Sequence, residues 1–166
     1  MEKVKFWVMC LVVLCVSLPL VGCGDGMAST SIGYDWLPAS AAEYAREYDD
    51  IVLVDLENQH VYLCIGGEVL AETDCVSGDI YDSPTPTGLY KVWYKEDDFY
   101  MMEEYYTANA VFFNDDIALH DADAWRDEYG GEIYQGNGSH GCVNTPRWFA
   151  EMVYNYVEIG TPVYVF

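Results

Sequence analysis

Cys142 lies in the stretch Ser139-His140-Gly141-Cys142-Val143-Asn144, two residues from one imidazole, and a second, His120, comes from a separate segment. A thiol at its ordinary pKa of about 8.5 is mostly protonated near neutrality, so a base or a cation must activate it. A thiol, a base and backbone N–H groups facing an attacked carbonyl are the parts of covalent acyl transfer. The chain has 3 histidines and two of them fall here, so the grouping is not a diffuse effect of composition. His140 is close in sequence, but two residues of extended or turning chain do not bring side chains into contact. His120 ends a different predicted strand and can be aimed across a cleft at the sulfur. The expectation is His120 as base, with Asp121 orienting the ring through its carboxylate or its backbone carbonyl, as triads require. Ser139 and His140 are expected to line the pocket. Gly141 lets the backbone approach closely, and the N–H groups of Gly141 and Cys142 are candidate oxyanion donors.

Metal chemistry is the rival reading. His120, His140 and Cys142 are zinc-ligand types with room for an open fourth position. A His-Gly-Cys spacing is not a usual ligand pair, however, and no carboxylate supports it. Asp115, Asp116, Asp121 and Asp123 are calcium-ligand types without the glycine-centred loop such sites use. No metal and no other cofactor is expected. His60, the third histidine, alternates with Val61 in a predicted strand and is expected to face solvent or a cross-strand neighbour.

The elements that must position these groups read as mainly β. Ser40-Ala41-Ala42-Glu43 fits a capping box and predicts a short helix reaching Tyr48. Ile51 to Leu56 reads as a buried strand, and His60–Ile65 and Glu68–Val76 read as arms of a hairpin turning at Gly66-Gly67. Ser83-Pro84-Thr85-Pro86-Thr87-Gly88 cannot be helix or central strand, because its prolines remove donors and fix φ. It predicts a rigid extended turn before a strand at Leu89–Tyr94. Residues 95–110 are acidic and aromatic, either a loop framing a cleft or a covered sheet face. Ala110–Phe113 and Ile117–His120 read as strands. Thr145 is a candidate cap with Pro146 at the first helical position, so the helix begins close to Cys142, where its N-terminal dipole could act. Phe149, Met152, Val153, Tyr156 and Val157 repeat as one apolar face. Gly160-Thr161-Pro162 stops that helix ahead of a last strand, Val163–Phe166.

Cysteine use bears on Cys142. A two-residue turn at Gly66-Gly67 sets Cys64 opposite Val69 and Cys75 opposite Asn58, on one face but roughly 20 Å apart at about 3.3 Å per residue. A disulfide needs Cα atoms within about 7 Å. No Cys64–Cys75 bond is expected, and Cys142 is a candidate free thiol.

Lys3 and Lys5 precede an apolar run from Phe6 to Val21, a basic n-region and a secretory h-region. The run is short and interrupted for a spanning helix. It ends at Leu20-Val21-Gly22-Cys23, which resembles a bacterial lipoprotein signal in which Cys23 takes the lipid and becomes the N-terminus. The expected division is a signal peptide over 1–22, a lipid-anchored tether and short helix over 23–49, and one domain over 50–166. That domain is placed outside the cytoplasm. At 52% hydrophobic and 16% aromatic the chain is far too apolar for disorder. A net charge of −21 excludes nucleic acid as partner, since such binding rests on neutralising phosphates.

These motifs together resemble the L,D-transpeptidase catalytic domain family, whose signature is a histidine, a gap, then Ser/Thr-His-Gly-Cys with Asn or Arg two residues on. Ser83-Pro84-Thr85-Pro86-Thr87-Gly88 resembles its Thr-Pro-Thr-Gly segment, and Gly160-Thr161-Pro162-Val163 its usual ending. His120-Asp121-Ala122, Trp125-Arg126 and Tyr129-Gly130-Gly131 resemble the subgroup common in Gram-positive bacteria. The resemblance spans roughly Asp50 to Phe166. It implies a β-sandwich-like fold of mixed sheets and cross-linking of peptidoglycan stem peptides. Cys142 would attack the bond between an L-centred third residue and terminal D-alanine, with His120 as base and Ser139, His140, Gly141 and Asn144 shaping the pocket. Carbapenem-type β-lactams are implied as covalent inhibitors. The gap from His120 to Ser139 is slightly long, and residues 95–110 have no clear family pattern. A hydrolase using water, or an inactive wall-binding domain, are the alternatives.

Overall fold

The computed structural model describes residues 34–101 and 105–166. The segments read from the sequence as a signal peptide over 1–22, a lipid-accepting Cys23 and a tether lie, up to residue 33, outside the described residues. Strand β1 (Ile51–Asp55) is buried along its whole length, as the apolar run Ile51–Val54 requires, and Asp55 at its end accepts from the Asn58 N–H and side-chain amide. It pairs antiparallel with β2 (His60–Ile65) and parallel with β9 (Pro162–Val165). Strand β3 (Glu68–Asp74) flanks β2 and β4 (Gly88–Lys91) flanks β9, giving a five-stranded mixed sheet in the order β3-β2-β1-β9-β4. The second sheet has the order β5-β6-β7-β8, from β5 (Tyr94–Met101), β6 (Tyr105–Asn114), β7 (Ile117–Asp121) and β8 (Val143–Thr145).

The main core lies between the sheets. Val52, Val54, Val61, Leu63, Val163 and Val165 meet Val111, Phe113, Leu119 and Val143 there, with Phe149, Ala150 and Val153 of helix α3 (Arg147–Tyr156). A short helical turn, α2, covers Tyr134–Asn137. On the other face of the first sheet Ile51, Leu53 and Cys64 pack on Ala41, Ala42 and Ala45 of helix α1 (Ala39–Glu47). This is the mainly β, mixed-sheet architecture the sequence predicts. No helix among the described residues is long and apolar enough to cross a membrane.

Several local expectations are corrected. Gly66 and Gly67 turn the hairpin with φ of 61° and 76°, and Cys64 does face Val69. A bulge at Leu63/Cys64 then slips the register by one residue, so Cys75 hydrogen-bonds with Gln59 rather than facing Asn58. One residue of slip turns a side chain to the other face. Cys64 therefore packs under α1 while Cys75 enters the main core, and both are free. The absent bond follows from opposite faces, not from distance along one face.

Ser40 does not cap α1, which starts after Pro38, and α3 starts after Pro146 without a side-chain cap. Thr145 belongs to β8, and its hydroxyl donates to the His120 carbonyl. Tyr156 turns out to solvent at 51% exposure, and Ala150 takes its place in the buried stripe. The acidic, aromatic stretch is not a loop: Tyr94–Met101 and Tyr105–Asn114 are the antiparallel strands β5 and β6, and His60 meets its cross-strand neighbour Asp74 at 2.7 Å.

Candidate active site

Cys142 sits at the end of a loop that enters β8, and main-chain bonds from distant segments hold that loop. Val76 and Asn144 exchange both backbone hydrogen bonds at 2.9 Å. Ser139 N–H donates to the Ser77 carbonyl, and Asp79 N–H to that of Ser139, each at 2.9 Å. Thr85, buried in the proline-rich turn, donates to the Gly141 carbonyl at 2.8 Å and accepts from Gly78 N–H at 2.8 Å. The two prolines of that turn thus serve to present one hydroxyl to the cysteine loop. Behind Ser77, the buried Gln59 side chain accepts from the Ser77 N–H and donates to its hydroxyl. Gly141 has φ of 115°, a conformation that favours glycine.

The Cys142 sulfur is nearly enclosed, packed against Ala110 and Ala118. It accepts from the Ala118 N–H at 3.4 Å, and the thiol lies 3.8 Å from the Asp116 carbonyl. Burial pushes the thiol up to about 11; the Ala118 N–H opposes this and the Asp116 charge adds to it.

His120 is fully buried on β7, opposite Asn144 in the parallel β7–β8 ladder. Leu119 and Val143 face the main core, so His120, Ala118 and Asn144 share the other face with the sulfur. The ring Nδ1 donates to the Asp121 carbonyl at 2.8 Å, with Thr107 Oγ1 3.1 Å away. The Thr107 hydroxyl donates to the same carbonyl. Asn144 Nδ2 lies 3.2 Å from Nε2, and Arg126 Nε donates to Asn144 Oδ1 at 2.7 Å. Among the described residues no buried side-chain polar atom lacks a partner. Burial lowers the ring to about 4 against the raising effect of the Asp121 carbonyl and carboxylate; the Arg126 charge lowers it further. At rest the pair is a neutral imidazole and a protonated thiol, not an ion pair.

The Asp121 carboxylate turns away from the ring, accepting from Arg147 Nε at 2.9 Å and from the Asp123 N–H at 2.8 Å. Of the two orienting groups left open, the backbone carbonyl is the one on Nδ1. His140 is exposed and takes no part in this network. Ser139 Oγ donates to the Cys142 carbonyl and accepts from the Gly141 N–H at 3.0 Å. The Gly141 N–H, expected to face a carbonyl under attack, is therefore already committed. Among the described residues no group of three or more His, Cys, Asp and Glu is placed to hold a metal ion. Thr107, Arg126 and Thr85 were missed as site residues. Arg126 carried a usable signal, being one of few cations in a strongly acidic chain and six residues beyond His120.

A family model for the L,D-transpeptidase catalytic domain matches residues 49–165. The chain belongs to this family. A crystal structure of a cysteine-to-serine mutant of the Enterococcus faecium L,D-transpeptidase is 39% identical with a TM-score of 0.65, covering 72% of this chain and 50% of that one. The catalytic domain of the E. faecium L,D-transpeptidase acylated by ertapenem is 38% identical with a TM-score of 0.60, covering 71% of this chain and 97% of that one. An L,D-transpeptidase from Mycobacterium tuberculosis is 26% identical with a TM-score of 0.59, covering 71% and 57%. The chain spans about half the length of the E. faecium crystal structure it matches. A comparison with curated proteins finds no match.

In this L,D-transpeptidase domain the role of Asp121 can be separated from that of its carbonyl. Asp121→Asn should weaken the bond from Arg147 and cost about 1–3 kcal/mol of stability in urea unfolding. It should leave the rate of Cys142 acylation within about tenfold, because the carbonyl on Nδ1 is untouched. A loss near 1,000-fold in a folded variant would instead make the carboxylate the orienting group.

Proposed function

We propose that this chain is a cell-wall L,D-transpeptidase acting on peptidoglycan stem peptides. The observation that carries the reading is the placing of Cys142 and His120 on one face of β7 and β8, with the ring proton held on Nδ1 by the Asp121 carbonyl. That leaves Nε2 as the atom able to accept the thiol proton. As the proton moves to Nε2, Sγ bonds to the carbonyl carbon of the third, L-centred residue of a tetrapeptide stem. The C–N bond to terminal D-alanine breaks, and His120 returns the proton to the departing amine. An acceptor amine from a neighbouring stem or bridge then attacks the thioester carbonyl carbon and gives a proton to Nε2; the C–S bond breaks and the ring passes that proton to the departing sulfur, restoring the thiol.

With the Gly141 N–H bonded to Ser139, the Cys142 N–H is the backbone donor assigned to the developing oxyanion, a contact of the kind worth ~3 kcal/mol. Ser139, Gly141 and Asn144 shape the pocket from within, and the exposed His140 stands at its rim. Similarity to an ertapenem-acylated domain supports carbapenems as covalent inhibitors. Lys3, Lys5, the apolar run and Leu20-Val21-Gly22-Cys23 support a lipoprotein anchored through Cys23 and facing the wall. An intact thiol and base favour an enzyme over an inactive wall-binding domain.

Mass spectrometry of products from defined tetrapeptide fragments tests the reading. The expected product is a cross-linked dimer lighter by one D-alanine than its two parents. Tripeptide alone would make water the acceptor and the enzyme a hydrolase. Unchanged tetrapeptide in the presence of folded protein would overturn the assignment.

A further inference from the structure

We infer that Arg126 is a positioning residue that fixes the amide of Asn144 and, through it, the tautomer of His120. The inference deepens the proposed reaction and rests on it for its kinetic part only.

An Asn side chain has one accepting end and one donating end, while a guanidinium can only donate. Arg126 Nε lies 2.7 Å from Asn144 Oδ1, so the accepting end is spoken for. The NH2 end must then point at His120 Nε2, 3.2 Å away, where it can only donate. Nε2 is thereby obliged to present its lone pair, and the single ring proton sits on Nδ1. The other side agrees. Nδ1 is 2.8 Å from the Asp121 carbonyl, which can only accept. Thr107 spends its hydroxyl proton on that same carbonyl, so it offers Nδ1 a lone pair and not a competing donor. Every group in the chain from Arg126 to Thr107 is satisfied in one arrangement.

Arg126 is itself held. Its N–H bonds the Ala122 carbonyl at 2.9 Å and its Nη1 the Asn137 carbonyl at 3.0 Å. Adding a proton to Nε2 would set two donors against each other, so the same contact resists imidazolium. The positive charge of Arg126 acts in that direction too. Among the described residues, the groups hydrogen-bonded to the His120 ring are Thr107 from β6, the Asp121 carbonyl from β7 and Asn144 from β8, while Thr145 holds the His120 backbone carbonyl. The Asp121 carboxylate is turned to Arg147 of α3, the Trp125 ring lies 5.9 Å away, and the Cys142 thiol is on the shared face.

Without Arg126, the Asn144 amide is free to turn its oxygen to Nε2. It would then accept from an Nε2–H, favouring the tautomer that cannot serve as base and the imidazolium as well. Nitrogen-15 NMR of the histidine rings, in the full chain, reads tautomer and titration midpoint directly. Arg126→Leu should move His120 toward Nε2–H and raise its midpoint by about one pH unit or more. The acid limb of Cys142 acylation by a carbapenem should move by the same amount. Arg126→Lys, which keeps a donor near Oδ1, should restore part of both shifts. Asn144→Asp replaces the donating end with an acceptor, and should raise the midpoint even where Arg126→Leu fails to fold. Unchanged tautomer and midpoint in a folded variant, with acylation slowed equally at all pH values, would overturn the role. If the wild-type protein is not acylated at all, the proposed reaction fails, while the NMR arms still decide the place of Arg126.

Discussion

Cys142→Ala should form no covalent adduct with a carbapenem, and His120→Ala should form it about 100- to 10,000-fold more slowly at pH 7. The sizes follow from the resting state of the site. With the thiol pushed up to about 11 by burial, the thiolate is a trace species at pH 7. Among the described residues the Ala118 N–H is the contact that favours the thiolate, and it does not outweigh burial. Reaction near neutrality must therefore move the proton to His120 as the S–C bond forms. Burial has lowered the ring to about 4, so the base is unprotonated from mildly acidic pH upward. The acylation rate of the wild-type protein should thus rise as pH passes upward through about 4 and then stay level to well above neutrality. It falls away below that point because protonated imidazole cannot accept. In His120→Ala the remaining reaction needs preformed thiolate, and should climb about tenfold per pH unit toward the thiol pKa. Intact-protein mass measured against time across pH checks all three curves. A His120→Ala rate close to wild type would remove His120 as base and leave the exposed His140 as the histidine to examine.

Much of this site can be read in the chain because its chemistry needs particular residue types. Cys142, His120 and the Gly141 between His140 and Cys142 have few substitutes, and Gly66-Gly67 announces a hairpin for a similar reason. What sequence hides is set by partners far along the chain. The bulge at Leu63/Cys64 depends on how β3 meets both β2 and the segment after it, and its slip moved Cys75 into the main core. Thr145 and Pro146 have the right types for a helix start, yet Thr145 is claimed by β7 through the parallel pairing of Asp121. A tertiary hydrogen bond to the His120 carbonyl outweighs a local cap, both being worth about 1 kcal/mol, because pairing had already fixed the backbone. Tyr156 fits the helical period, but α3 covers the sheets with the stripe running through Ala150, where a small side chain permits close approach. Thr107 was the hardest to foresee. It stands in an acidic, aromatic stretch with no chemical signature, and matters only because β6 lies beside β7.

Gly78→Ala should cost about 3 kcal/mol or more and disable Cys142 beyond what the lost stability explains. A Cβ at Gly78 would stand 2.1 Å from the Ser83 carbonyl oxygen, 2.7 Å from Thr85 N and 2.9 Å from Gly141 Cα. All three are backbone atoms, and they belong to two separate segments that carry the site. No rotamer change relieves such contacts, so the proline-rich turn or the cysteine loop must move. Either movement parts Thr85 from the Gly141 carbonyl and from the Gly78 N–H, the two bonds that set the height of the loop. A shift of even 1 Å at Cys142 displaces Sγ from the Ala118 N–H and from the face it shares with His120, and misplacements of that size cost about 100-fold in rate. Gly67→Ala supplies the control. Gly67 has φ of 76° but open space around its missing Cβ, so it should lose about 1 kcal/mol through backbone strain alone and keep its acylation rate. Urea unfolding and carbapenem acylation, measured on both variants, separate the two effects. Wild-type stability together with a wild-type acylation rate in Gly78→Ala would mean that the proline-rich turn does not hold Cys142 in place.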